Sequence, residues 1–208
     1  MALTVDTAVP APPSTPKAGE WGARIADPGP LGLAAFAMTT FFLSSVNAGW
    51  LPKSVEGVVL GLALFYGGIA QVFAGMWEFV KGNTFGAVAF TSYGAFWLSF
   101  WYLIAHTPLD ATADDKARGI GFYLLGWTIF TAYMLVCTLR INGVLIGVFG
   151  FLTVTFLALT LGELTGVATI TTLGGYLGLI TAALAWYGSL AGVRNSLAGA
   201  TLPTFPRS

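Results

Sequence analysis

Six apolar stretches, each about as long as a bilayer crossing requires, leave this chain few ways to fold. A helix spanning the hydrocarbon core needs about 20 residues. The stretches run approximately from Leu31 to Leu51, Val55 to Val80, Phe85 to Ala105, Gly119 to Leu139, Gly143 to Gly162 and Ala168 to Val193. Hydrocarbon offers the backbone no hydrogen-bond partner, so runs of this length must satisfy themselves as helices. The expected fold class is all-α: a polytopic membrane protein with six transmembrane helices per protomer. The connections are short and leave no room for a separate domain, so the work is done within the membrane.

Charge excludes several classes of function. Only 9% of residues are charged and 56% are hydrophobic, whereas a soluble domain carries roughly 25% charge. Net charge is zero and there is no long basic tract, so nucleic acid is not an implied partner. The single cysteine, Cys137, excludes an intramolecular disulfide and reads as a small buried hydrophobe. With one histidine besides, no zinc cluster can be built, and no metal or cofactor is expected.

Proline marks the start of the first helix. Asp27-Pro28-Gly29-Pro30 is a turn, and Pro30 suits a first-turn helical position because its missing donor costs nothing there. Residues 1–26 carry Pro10, Pro12, Pro13 and Pro16 among small polar neighbours and read as a disordered cytoplasmic tail. They lack the apolar core of a secretory signal peptide. Residues 27–195 form the six-helix domain, and residues 196–208 a short C-terminal tail.

Cationic residues give the orientation, since translocated loops tend to lack them. Lys17, Arg24, Lys81, Arg140, Arg194 and Arg207 fall on one side, and Lys53, Lys116 and Arg118 on the other. The majority side is the cytoplasm, with both termini in it. Asp110, Asp114 and Asp115 then lie in the external loop between the third and fourth helices, which opens with His106, Thr107 and Pro108.

Glycines recur four apart at Gly57 and Gly61, Gly143 and Gly147, Gly162 and Gly166, Gly174 and Gly178, and Gly188 and Gly192. This spacing brings helix backbones close, which implies a tight bundle and a further surface for self-association.

No catalytic constellation is visible: there is no Gly-x-Ser-x-Gly elbow, no phosphate-cradling loop and no histidine pair on a helix face, so the chain does not read as an enzyme. What the spans do contain is uncharged polar residues, namely Thr39, Thr40, Ser44, Ser45, Asn47, Gln71, Thr91 and Ser92. Such groups are costly in hydrocarbon and should face the bundle interior, although Ser and Thr can also bond to their own helix backbone. The Gln71 amide, with two donors and an acceptor deep in its span, points to a solute pathway. Glu78, three residues before Lys81, has the spacing of a helical ion pair, with a proton-linked role as the sharper alternative. Glu163 sits near the outer end of the fifth span, where the interface hydrates it. Trp50, Trp77, Trp97, Trp101 and Trp186 read as an aromatic belt. With no fixed positive charge at mid-depth, the spans favour a small, weakly held solute, such as an acid that travels with a proton.

Longer motifs sharpen this. Asp27-Pro28-Gly29-Pro30-Leu31-Gly32-Leu33, followed by Phe36, Met38, Thr39 and Thr40, resembles the Asn-Pro-Ala-Pro-Leu-Gly-Leu signature of the acetate uptake transporter family. Phe65-Tyr66-Gly67-Gly68-Ile69-Ala70-Gln71, Phe73-Ala74-Gly75 with Glu78, Lys81 to Gly86, Phe90 to Gly94 and Phe96-Trp97 are similar to further family segments. The resemblance implies a hexamer of six-helix protomers, each with its own route narrowed by three side chains that carry over to Phe36, Tyr93 and Leu152. Asp27 departs from the signature's Asn and adds a negative charge at the inner mouth.

The expected function is transmembrane transport of acetate and related small monocarboxylates, with succinate a further candidate, proton-coupled or channel-like, in the cell inner membrane. Thr40, Ser44, Gln71 and Ser92 are the expected polar lining, and Glu78 the proton-linked or structural carboxylate. The partners are acetate or small carboxylic acids, protons, the bilayer and five further copies in a homo-hexamer. Two alternatives stay open: a pore for water or small neutral solutes, prompted by the Pro-rich box, and a non-transporting membrane assembly protein with the glycine faces as its docking surfaces.

Overall fold

The computed structural model describes residues 25–199 and 201–206. Lys17, Arg24 and Arg207, and nearly all of the tail expected to be disordered, lie outside the described residues. Seven α-helices run in order among the described residues: α1 (Gly29–Asn47), α2 (Gly57–Leu64), α3 (Gln71–Lys81), α4 (Thr84–His106), α5 (Ala113–Thr138), α6 (Gly143–Thr165) and α7 (Ala168–Ala198). A π-helical turn over Phe65–Ala70 joins α2 to α3, so these two make one span, and six spans are long and apolar enough to cross a membrane. The described residues are nearly all helical, with one isolated bridge between Asn142 and Pro206.

Local chemistry sets the boundaries. Pro30 occupies the first turn of α1, as its missing donor allows. The Asn83 side chain caps α4 by accepting from Gly86 N at 3.1 Å, and Asn142 caps α6 by accepting from Leu145 N at 2.9 Å. Thr112 does the same for α5, accepting from Asp115 N at 3.2 Å. That cap starts α5 six residues before the expected Gly119. Asp114 and Asp115 therefore belong to its first turn rather than to the loop, where the positive end of the helix dipole favours them. Left-handed glycines end α3 at Gly82 (φ 76°) and α6 at Gly166 (φ 68°).

Packing divides the bundle into intimate and looser seams. α1 lies along α7, α7 along α6, α6 along α5, and α3 along α4. A Cβ at Gly178 would strike the Ser44 hydroxyl, and one at Gly175 would strike the backbone N of Ala48, so small residues on α7 let α1 settle against it. Between α4 and α5 the side chains fill the gap: Tyr93, Phe96, Trp127 and Phe130 meet ring to ring at 5.1–6.1 Å.

The outer surface is rich in exposed Val, Leu, Ile and Phe, as a lipid-facing surface must be. Cys137 is exposed on α5, not buried as expected, because a helix apolar on every side does not declare which face meets lipid. Gly57 and Gly61 likewise have no atom of the described residues within 4 Å of an added Cβ, so that pair packs against none of them.

Candidate solute pathway

Two cavities enter the bundle from opposite ends. The first, about 260 Å³, opens where Asp27, Glu78, Asn83 and Asn142 gather and runs inward past Gln71 and Phe90. The second, about 330 Å³, opens among Asn47, Lys53, Glu56 and Glu163 and runs inward past Ser44, Thr40 and Trp97. Phe36 and Leu152 line both cavities and so stand between them. Both side chains are buried in the apolar core, Phe36 5% and Leu152 3% exposed.

Tyr93 lines the Asp27-end cavity only. Its ring lies 5.6 Å from that of Phe36 and 5.9 Å from Phe149. Its hydroxyl is 2.9 Å from Thr131 Oγ1, and Thr131 commits its own proton to the Trp127 carbonyl at 2.7 Å. The Tyr93 hydroxyl is therefore the donor, and α5 fixes the ring that backs Phe36. The three residues that the family resemblance implied are brought together: two between the cavities and one immediately on the Asp27 side.

The π turn explains how Gln71 reaches the route. One extra residue in a helical turn rotates the remainder of the helix by about 100°. Its two buried glycines admit the neighbours: a Cβ at Gly67 would press on Thr39 and Trp97, and one at Gly68 on Leu98. Gln71, the first residue after the turn, is 1% exposed, and its Oε1 has no partner among the described residues. A buried amide oxygen without a partner is costly unless water or solute meets it.

On the other side of Phe36, the Thr40 hydroxyl and the Trp97 indole N–H are also buried without a partner among the described residues, and both residues line the second cavity. Thr39 and Thr155 instead donate to their own helices, at Ala35 O (2.9 Å) and Phe151 O (2.8 Å). Ser44 lines the cavity as expected, but Ser92 lines neither, since the next residue, Tyr93, faces the route and Ser92 is turned about 100° from it.

Charge at the Asp27 end differs from expectation. Lys81 pairs with Asp27 at 3.2 Å, across 54 residues of sequence, and not with Glu78. The Glu78 carboxylate accepts from Asn83 Nδ2 at 2.9 Å, and the same Asn83 side chain caps α4. Gly86 makes room for it: an added Cβ would sit 2.8 Å from Glu78 Cδ. Glu78 is 2% exposed yet lines the cavity, a carboxylate held still at the mouth.

Sequence reasoning passed over Trp97, which it assigned to an aromatic belt. Trp97 is 2% exposed in mid-helix. The signal was there, since it lies four residues after Tyr93 on one face of α4. The mouth residues Asn83, Asn142, Lys53 and Glu56 had no local signal, because distant segments assemble them.

The route lies in a chain with close relatives. Residues 14–206 match the GPR1/FUN34/yaaH family. The chain is 43% identical over 179 residues to the succinate-acetate/proton symporter SatP of Escherichia coli (strain K12), covering 86% of this chain and 94% of that protein. It is 45% identical over 175 residues to ammonia transport outward protein 2 of Saccharomyces cerevisiae, covering 82% of this chain but only 62% of that longer relative. Among solved structures, that of the bacterial acetate channel SatP superposes with a TM-score of 0.81 at 42% identity, covering 88% of this chain and 99% of that one. The resemblance carried by the Asp27–Leu33 signature therefore holds, and this multi-pass membrane protein belongs to the GPR1/FUN34/yaaH family.

Proposed function

We propose that the chain carries acetate and similar short monocarboxylates across the membrane, acting as a transporter or channel and not as an enzyme. The observation that carries this reading is the meeting of two largely apolar cavities, each carrying a few polar groups, at a neck of Phe36 and Leu152, in a chain 43% identical to a succinate-acetate/proton symporter. Such a neck resists hydrated ions, because no group there replaces their water, yet passes a small solute that is partly apolar or has taken up a proton. Phe36, Tyr93 and Leu152 narrow the route. Thr40, Ser44 and Trp97 on one side and Gln71 on the other meet the carboxyl group.

The Asp27 end faces the cytoplasm in this reading. Among the described residues Lys81, Arg140 and Arg194 lie at that end and Lys53, Lys116 and Arg118 at the other, so the asymmetry comes from Lys17, Arg24 and Arg207. In a bacterial cell the membrane is the inner one. Hexamer assembly uses glycine faces left bare by the protomer: Gly57 and Gly61 on α2, and Gly119 and Gly126 on α5, have nothing within 4 Å of an added Cβ.

The test is uptake of labelled acetate into vesicles holding only this protein, with and without an inward proton gradient. Accumulation above equilibrium that collapses with the gradient marks proton coupling. Equilibration alone marks a channel, and no uptake contradicts transport. Glu78→Gln keeps the Asn83 hydrogen bond but cannot take up a proton, so loss of accumulation with retained equilibration assigns coupling to Glu78. A small neutral solute would also pass an apolar neck, and a relative is named for ammonia. Competition by methylammonium separates that second reading.

A further inference from the structure

We infer that Glu56 and Glu163, at the mouth of the second cavity, set the charge selectivity of the route by disfavouring doubly charged carboxylates, with Lys53 opposing them. The inference rests on the transport reading and names its substrate class: acids that arrive with at most one negative charge.

Three observations combine. Lys53 and Glu56 come from the segment between α1 and α2, Glu163 comes from α6, and all three line one mouth. Neither carboxylate is in an ion pair within 4.0 Å among the described residues, unlike Asp27 at the other end, which Lys81 neutralises. The cavity they guard is also built to receive a polar group. Past Ser44 it ends at the buried, unpartnered Thr40 hydroxyl and Trp97 N–H, over an apolar floor of Phe36, Phe96 and Leu152. The indole N–H is a donor only, and the threonine hydroxyl can donate as well. They suit one carboxyl group, while the floor suits a short hydrocarbon stub.

The second carboxylate of a dianion has no counterpart in this arrangement. It is left in the mouth, where two carboxylates face one lysine. Screening over a Debye length of about 8 Å weakens this repulsion without removing it. For a second negative charge it amounts to about a five-fold lower rate. A monoanion meets the same field once and then pairs with the donors. An acid that has taken up a proton meets it least of all.

The experiment compares initial uptake of labelled succinate and acetate at neutral pH in vesicles of the full chain, for wild type, Glu56→Gln/Glu163→Gln and Lys53→Gln. The succinate-to-acetate ratio is expected to rise about twenty-fold in the first variant, which takes the mouth from net −1 to net +1, and to fall about five-fold in the second, both changes shrinking at high salt. Opposite shifts in the two variants are what charge alone produces, whereas a merely structural role moves both ratios the same way or neither. Acetate uptake with an unmoved ratio, or with parallel shifts, overturns the selectivity while leaving transport intact. No acetate uptake even by the wild type overturns the transport reading and the inference with it.

Discussion

The two cavities differ most in how their carboxylates are compensated. At the Asp27 end, Asp27 has Lys81 at 3.2 Å and Glu78 has the Asn83 amide at 2.9 Å. At the other end, Glu56 and Glu163 have no such partner among the described residues, while the unpartnered groups deeper in are the Thr40 hydroxyl and the Trp97 N–H. Across Phe36 from those groups the unpartnered atom on a cavity-lining residue is an acceptor, Gln71 Oε1. One side of the neck thus presents the Trp97 donor and the Thr40 hydroxyl, and the other adds an amide that can both accept and donate. A carboxylate is met by donors on the first side, and a protonated acid can give its hydrogen bond on the second. The neck itself carries no polar atom, so a change of protonation state fits the crossing better than a bare anion does.

The largest effect should come from removing the wall between the cavities. Phe36→Ala with Leu152→Ala is expected to raise uptake of bulkier acids such as benzoate by about ten-fold or more. Its cost in stability is about 3–5 kcal/mol for the phenylalanine and 2–5 kcal/mol for the leucine, before any local collapse. Vesicle uptake and thermal unfolding in detergent read the two effects, and unchanged size selectivity would mean that the cavities do not meet there.

Trp97→Phe comes next. It keeps an aromatic ring and deletes one donor, so apparent affinity for acetate should fall by about ten-fold or more, the worth of a hydrogen bond to a charged group. An unaltered affinity would remove Trp97 from the route.

Asn83→Ala makes one end more like the other. It strips the α4 cap and leaves Glu78 without its amide, costing about 1–2 kcal/mol, and it should give the Asp27-end mouth a stronger preference against dianions. Smallest of all, Asp27→Asn breaks an ion pair whose side chains are 28% and 53% exposed, worth under about 1 kcal/mol. A thermal shift of many degrees in that variant would show that the signature turn holds more of the fold than its geometry implies.

How much of this could be read from the chain depends on the range of the forces involved. The six spans follow from length and hydropathy alone, because the bilayer imposes both. The π turn did not announce itself: Phe65–Ala70 is apolar and glycine-bearing like its flanks, and nothing in a uniformly apolar run marks an inserted residue. The early start of α5 was legible, since Thr112 followed by Asp115 is a capping pattern, but the apolar window drew the boundary at the hydrocarbon edge instead. The sequence pairs Lys81 with Glu78 because a partner three residues away is visible in the chain, whereas Asp27, 54 residues away, is not. Phe36 and Tyr93 became visible only within their motifs, for on residue type alone each is ordinary core. Ser92 lines neither cavity for a simpler reason, since its neighbour Tyr93 occupies the inward face.

The most direct test of two cavities closed from each other is chemical accessibility from each side. In a Cys137→Ser background, which removes the exposed thiol, Asn47→Cys probes the Glu163-end cavity and Leu145→Cys the Asp27-end cavity. Treated with a membrane-impermeant thiol reagent in oriented vesicles, each is expected to react from one face only, and the two from opposite faces, until Phe36→Ala/Leu152→Ala lets the reagent reach both from either side. Equal modification from both faces without those alanines would contradict a route divided at Phe36 and Leu152.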